Sequence, residues 1–292
     1  MAANRYLSWK DIPPNLYIAE SEIVMDNSRP ISAGFSDVYR GHFAGRPNEA
    51  VAIKRLRYTG EDDDGNSRMD RALEKEITAL MRIRHPFILS FLGLVILNYD
   101  PCIVTPWAEK GTVRKYLKGN PTADREKIVR EVAAALEHLH SGNALRDGTV
   151  IVHGDIHSNN VLIGSDGSAL LCDFGICKLI PPGQMASLSL RTAGPQGMVA
   201  YVAPELHSND TLRSVKSDVF SFGMLIYDVL GGELSKLGPT SASIVMKLQV
   251  GIRPGRVDGM RDELWQIACD CWENLPENRP TMQNVYSRLQ VV

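Results

Sequence analysis

Asp155, Asn160 and Asp173 lie within residues 153–175, which read HGDIHSNNVLIGSDGSALLCDFG. Two short apolar runs, 161–163 and 169–172, flank the turn-rich stretch Gly164-Ser165-Asp166-Gly167-Ser168. An apolar run, an Asp-Gly turn and a second apolar run predict a β-hairpin. Closing that hairpin sets its two open ends side by side. One end carries Asp155 and Asn160, the other Asp173. Two carboxylates and an amide oxygen then converge on one small volume. Hard oxygen ligands of this kind suit Mg²⁺, which takes few protein ligands and leaves positions for phosphates.

The flanking segments must position these groups. Ala50-Val51-Ala52-Ile53-Lys54 alternates as a strand and ends in a cation. After the acidic run at 61–64, Ser67 and Asp70 fit a capping box, and the following helix is expected to reach about Arg84. Met69, Leu73, Leu80 and Ile83 form its apolar stripe, and Glu76 falls on the same stripe. A carboxylate on a buried face needs a partner, because breaking a buried pair costs roughly 3–5 kcal/mol. Residues 91–97 and 102–105 read as strands joined by a turn at 98–101, with Gly93 in a bend. Short and long helices are expected at 111–117 and 121–140, the second with Ile128, Val132, Leu136 and Leu139 on one face.

Composition narrows the class. The chain has 292 residues, 44% of them hydrophobic, enough for a substantial core in one large domain or two lobes. A net charge of −2 gives no reason to expect nucleic acid or an anionic membrane as partner. The five cysteines are odd in number and lack zinc spacing, which suits a reducing, cytoplasmic setting. The longest apolar run, 91–97, is far short of the roughly 20 residues that span a bilayer, so no membrane insertion is expected.

The run containing Asp155, Asn160 and Asp173-Phe174-Gly175 resembles the catalytic and metal loops of protein kinases. The resemblance extends in order over residues 29–292, and Cys271-Trp272 with Arg279-Pro280 is most similar to the tyrosine-kinase-like group. It implies an α+β, two-lobed fold: a small antiparallel lobe with one helix at 29–107 and a mainly helical lobe at 108–292. Residues 1–28 would be an N-terminal extension. ATP·Mg²⁺ would lie in the cleft between the lobes. The activity implied is transfer of the ATP γ-phosphate to Ser/Thr, or Tyr, hydroxyls of a protein substrate. The alternative is a pseudokinase, a nucleotide-binding or scaffolding module of the same fold. Lys54, Asp155, Asn160 and Asp173 together favour the enzyme.

The resemblance also assigns roles. Asp155 would deprotonate the acceptor, Asn160 and Asp173 would hold Mg²⁺, and Lys54, paired with Glu76, would hold the phosphates. Ile31, Ala33, Gly34 and Ser36 would form the phosphate loop, with Val38, Ala52 and Leu162 around the adenine. Thr105 would back the pocket, and Pro106 and Ala108 would bind adenine through a carbonyl and an N–H. Asp218 would hold the catalytic loop, and Arg279 would pair with Glu205 of Ala203-Pro204-Glu205. Ser187, Ser189 and Thr192 would lie on the activation segment. The chain departs from the pattern in four places. Its phosphate loop is poor in glycine, and Gly154 replaces an arginine. His157 stands where Ser/Thr kinases place a lysine near the γ-phosphate, and Met198 where they place Thr or Ser.

Overall fold

The computed structural model describes residues 10, 12–27, 29–31, 36–57, 68–145, 147–183, 198–207 and 212–292, with only the backbone of 68–72. Ser67, Ala33, Gly34, Ser187, Ser189 and Thr192 lie outside the described residues. The architecture is α+β, in two compact units: Met1–Arg84 with Ile88–Glu109, and His85–Phe87 with Lys110–Val292.

The first unit is a six-stranded sheet with one helix. Its strands are β1 (Tyr17–Ile18), β2 (Ile23–Met25), β3 (Ser36–Phe43), β4 (Arg46–Leu56), β5 (Gly93–Leu97) and β6 (Asp100–Pro106), in the order β1-β5-β6-β4-β3-β2. The pairings are antiparallel except β1–β5, which is parallel. The resemblance implies an antiparallel small lobe with residues 1–28 as an N-terminal extension draped on it. Within that extension, residues 17–18 and 23–25 supply the two edge strands of the sheet, the first of them parallel to its neighbour. Gly93 explains the parallel edge. A Cβ there would stand 2.6 Å from the Leu16 carbonyl oxygen and 2.7 Å from Ile18 Cδ1, so only glycine lets β1 approach. The glycine opens β5 rather than bending a strand begun at Phe91. Asn98 and Tyr99, at φ 51 and 69, form the two-residue turn into β6, with Leu97 opposite Asp100.

Strand alternation sorts this sheet's faces. Ile23, Val51, Ile53, Val95, Cys102 and Val104 pack into one core cluster. Helix α1 (Arg68–Arg82) buries Leu73, Glu76 and Leu80, with Ile83 buried just past its end. It stops two residues before the expected Arg84, whose Nη1 caps the carbonyls of Leu80 and Ile83 at 3.0 and 2.8 Å.

The second unit is mainly helical. Helices α2 (Val113–Gly119) and α3 (Arg125–His140) start where Thr112 and Asp124 accept the N–H groups of Lys115 and Lys127. Asp124 therefore sets the start of α3, four residues later than Pro121. All four residues expected on the α3 stripe are at most 2% exposed. Four short strands follow: β7 (Val150–Val152), β8 (Val161–Ile163), β9 (Ala169–Leu171) and β10 (Lys178–Ile180). They pair antiparallel as β8–β9 and β7–β10. Helix α4 (Val215–Val229) is apolar nearly all round, as a central helix must be. Helices α5 (Ser241–Gln249), α6 (Asp262–Cys271) and α7 (Met282–Leu289) complete the unit. Gly223 of α4 lets α6 approach, since a Cβ there would meet Cys271 Cβ at 2.8 Å. Among the described residues no helix is long and apolar enough to cross a membrane.

Four histidines of this unit make it acid-sensitive. Burial lowers the pKa of His85, to about 4, and lowers those of His138, His153 and His207. His85 also stacks on His138 with ring centroids 4.9 Å apart, and their mutual repulsion disfavours its charge. Folded pKa values below the unfolded 6.5 mean that the unfolded chain binds more protons. Stability is then full above about pH 6.5 and falls as pH drops towards 4. Denaturant midpoints measured across that range should decline, and His85→Gln should reduce the decline.

Candidate functional site

In the first unit, register brings the expected nucleotide-side residues onto one face. Val38 pairs with Lys54, and Ala52 pairs with Thr105. Odd-even alternation puts these four on the face opposite the Val51–Ile53–Val104 core. Lys54 Nζ donates to Glu76 Oε1 and Oε2 at 2.9 and 3.0 Å, and the Glu76 side chain is 3% exposed. This charge-assisted pair pins α1 to β4. Ser36 opens β3, and Ile31, half exposed, donates its N–H to the Val38 carbonyl at 2.8 Å. Pro106 ends β6 and Ala108 is buried just beyond it.

In the second unit, the β8–β9 hairpin closes with Val161 opposite Leu171. Leu162 pairs with Leu170 and bridges to Thr112. At the open end, Cys172 N–H donates to the Asn160 carbonyl at 2.9 Å. That bond sets Asn160 within one residue of Asp173 across the hairpin. Asn160 Nδ2 donates to the Asp155 carbonyl at 2.9 Å and to Asp155 Oδ2 at 3.0 Å. Both donors of the amide face Asp155, which leaves its Oδ1 to ligate a cation. Asp173 adopts φ 68, a left-handed conformation that non-glycine residues adopt at a cost of about 1–3 kcal/mol. Such strain clusters at functional sites.

His153 is fully buried, and its ring orders the loop. Its Nδ1 accepts the Asp155 N–H at 3.2 Å, and its Nε2 meets the Cys172 carbonyl at 3.1 Å. With Nδ1 accepting, Nε2 carries the proton and donates. His157 repeats the pattern: Nδ1 accepts the Asn159 N–H at 3.2 Å, so the protonated Nε2 faces Asp155 Oδ2 at 3.4 Å. The His157 ring therefore stands against the Asp155 carboxylate, which is 43% exposed on its open side.

Beneath the loop, Asp218 is 1% exposed. Its Oδ2 accepts the His153 N–H at 2.8 Å and meets His140 Nε2 at 2.9 Å; its Oδ1 accepts the Gly154 N–H at 2.8 Å. Arg279, 1% exposed, forks onto both Glu205 oxygens at 2.7 and 2.8 Å. Three contacts had no sequence signal. Tyr201 donates to Asp228 Oδ2 at 2.5 Å and meets Ser158 Oγ at 3.1 Å. Burial and the Asp228 charge push the Tyr201 hydroxyl pKa up, so it stays a donor. Arg213 donates from Nε to the Gly154 carbonyl at 3.1 Å.

The donor chemistry fits Mg²⁺. One carboxylate, Asp173, and one amide oxygen, Asn160, are hard ligands, and few in number. Among the described residues no group of three or more His, Cys, Asp or Glu is placed to make a fuller cage.

Comparison with known proteins gives the family. Residues 27–289 match the family model described as protein tyrosine and serine/threonine kinase. The chain is 30% identical to MDIS1-interacting receptor like kinase 2 of Arabidopsis thaliana, over 87% of this chain and 25% of that protein. It is 27% identical to serine/threonine-protein kinase VIK of the same plant, over 97% of this chain and 65% of that protein. It is also 27% identical to salt tolerance receptor-like cytoplasmic kinase 1 of Oryza sativa subsp. japonica, over 99% and 81% of the two chains. The chain thus spans a quarter and just under two thirds of the first two relatives.

Proposed function

Because the chain belongs to the protein tyrosine and serine/threonine kinase family, we propose that it transfers the ATP γ-phosphate to Ser or Thr hydroxyls of a protein substrate. The observation that carries this reading is the Asp155 carboxylate, open to solvent on one side and held by Asn160 Nδ2 at 3.0 Å on the other. An anchored carboxylate with one free face suits a group that orients an acceptor hydroxyl and takes its proton. Lys54, fixed by Glu76, binds the phosphates. Val38, Ala52, Thr105, Pro106, Ala108 and Leu162 take the adenine end. Asn160 and Asp173 hold Mg²⁺, which neutralises phosphate charge when bound. Position and charge carry the catalysis, so the loop's rigidity matters more than any covalent chemistry. Ser/Thr specificity is favoured by one of the three relatives above, a serine/threonine-protein kinase. An odd number of cysteines without zinc spacing suits a reducing, cytoplasmic setting. The test is incubation with labelled ATP, Mg²⁺ and mixed Ser, Thr and Tyr peptides, followed by identification of the labelled residue. Label on Ser or Thr is expected; label on Tyr alone would overturn the acceptor assignment.

In this reading the His157 ring, with Nε2 3.4 Å from Asp155 Oδ2, supports the Asp155 carboxylate through a close polar contact. Gln carries its amide nitrogen at nearly the same reach as Nε2, whereas Leu carries no donor. His157→Gln should therefore keep most of kcat and His157→Leu lose about tenfold, roughly the worth of one polar contact to a charged group. Equal losses in the two variants would remove that polar contact from the mechanism.

A further inference from the structure

The glycine before Asp155 is gripped on both sides by the entry to a single helix. Asp218, in the first turn of α4, accepts the Gly154 N–H at 2.8 Å. Arg213, just ahead of the same helix, donates from Nε to the Gly154 carbonyl at 3.1 Å. That carbonyl belongs to the peptide that carries the Asp155 N–H, itself donated to His153 Nδ1 at 3.2 Å. Both ends of the peptide group leading into Asp155 are thus tied down.

Space and charge point the same way. Gly154 has φ +81, and a Cβ there would stand 2.8 Å from Arg213 Cδ and 3.3 Å from its Nε. The arginine's stem fills the room that a side chain at 154 would need. The guanidinium is partly buried, and burial lowers its pKa, while the charges of Asp155 and Asp218 oppose that lowering. A cation drawn out of water needs such counter-charges. Surface display would require neither the glycine nor the facing carboxylates.

We propose that Arg213 is a positioning residue for Asp155: from the start of α4 it fixes the Gly154–Asp155 peptide by its hydrogen bond to the Gly154 carbonyl. This rests on the reading of Asp155 as the group that takes the acceptor's proton. Arg213 touches Asp155's peptide and is assigned no contact with nucleotide, so its loss should act on turnover and spare ATP affinity.

The experiment compares wild type with Arg213→Ala and Arg213→Lys in steady-state transfer, thermal midpoint and amide exchange. In Arg213→Ala, kcat should fall about tenfold or more with KM for ATP unchanged, and added methylguanidinium should restore part of the loss. Arg213→Lys, which keeps the charge, should fall between wild type and Ala. Exchange at residues 154 and 155 should quicken in the Ala variant while α3 and α4 keep their protection. An unchanged kcat in Arg213→Ala would overturn the proposal. So would a loss that methylguanidinium leaves untouched and that comes with deprotection of all of α4. Should the wild type transfer no phosphate, the kinase reading fails on its own, and exchange at 154 and 155 still decides whether Arg213 fixes the loop.

Discussion

Asp155→Asn should bind ATP·Mg²⁺ like the wild type and transfer phosphate roughly 10²–10⁴ times more slowly, the usual worth of a general base. The amide keeps the shape of the carboxylate and can still meet Asn160, whose Nδ2 donates to the Asp155 carbonyl as well as its side chain. What it lacks is the capacity to take a proton. Asp173→Asn should behave in the opposite way. Asp173 is held at φ 68 beside Asn160, and in the proposed site it supplies the only charged ligand to Mg²⁺. Its loss should weaken Mg²⁺-dependent nucleotide binding itself, seen as a titration midpoint shifted to higher ATP. Two neighbouring carboxylates with separable defects would divide chemistry from binding. If both variants lose affinity equally, the division of labour is wrong.

The second large effect is structural. Asp218 holds the N–H groups of His153 and Gly154 at 2.8 Å and His140 at 2.9 Å, all in a site that is 1% exposed. Asp218→Ala strands two backbone donors and a histidine away from water. Each stranded group costs about 1–3 kcal/mol, so the sum is on the order of 5 kcal/mol. Against a total stability of about 5–15 kcal/mol, that loss is severe. The thermal midpoint should drop by on the order of 10 °C or more. Asp218→Asn keeps one acceptor oxygen and should lose less. A midpoint within about 2 °C of wild type in Asp218→Ala would show that water replaces the carboxylate, which the burial argues against.

The parts of the site that rest on local pattern were legible in the sequence. The Asp-Gly turn between two apolar runs fixed the hairpin that brings Asn160 beside Asp173. Glu76 announced its need for a cation by standing on the apolar stripe of Leu73, Leu80 and Ile83, and Lys54 meets it at 2.9 Å. The parts that rest on distant backbone were not legible. Strands β1 and β2 have two and three residues, too short to show any period. Their pairing depends on Gly93, whose lack of a side chain reads equally well as a bend. Arg213 binds a carbonyl 59 residues away, and nothing in its neighbours marks it. Tyr201 and Asp228 likewise meet across 27 residues, through a hydroxyl that composition does not distinguish from core.

The most direct test of the central claim is one paired measurement. Wild type and Asp155→Asn, each with ATP and Mg²⁺ bound to saturation, are given the same Ser/Thr peptide, and label transferred from γ-phosphate-labelled ATP is followed with time. Transfer by the wild type, reduced at least a hundredfold in the variant at equal nucleotide occupancy, is the predicted result. Nucleotide bound by both proteins, with the peptide labelled by neither or by both alike, would contradict it.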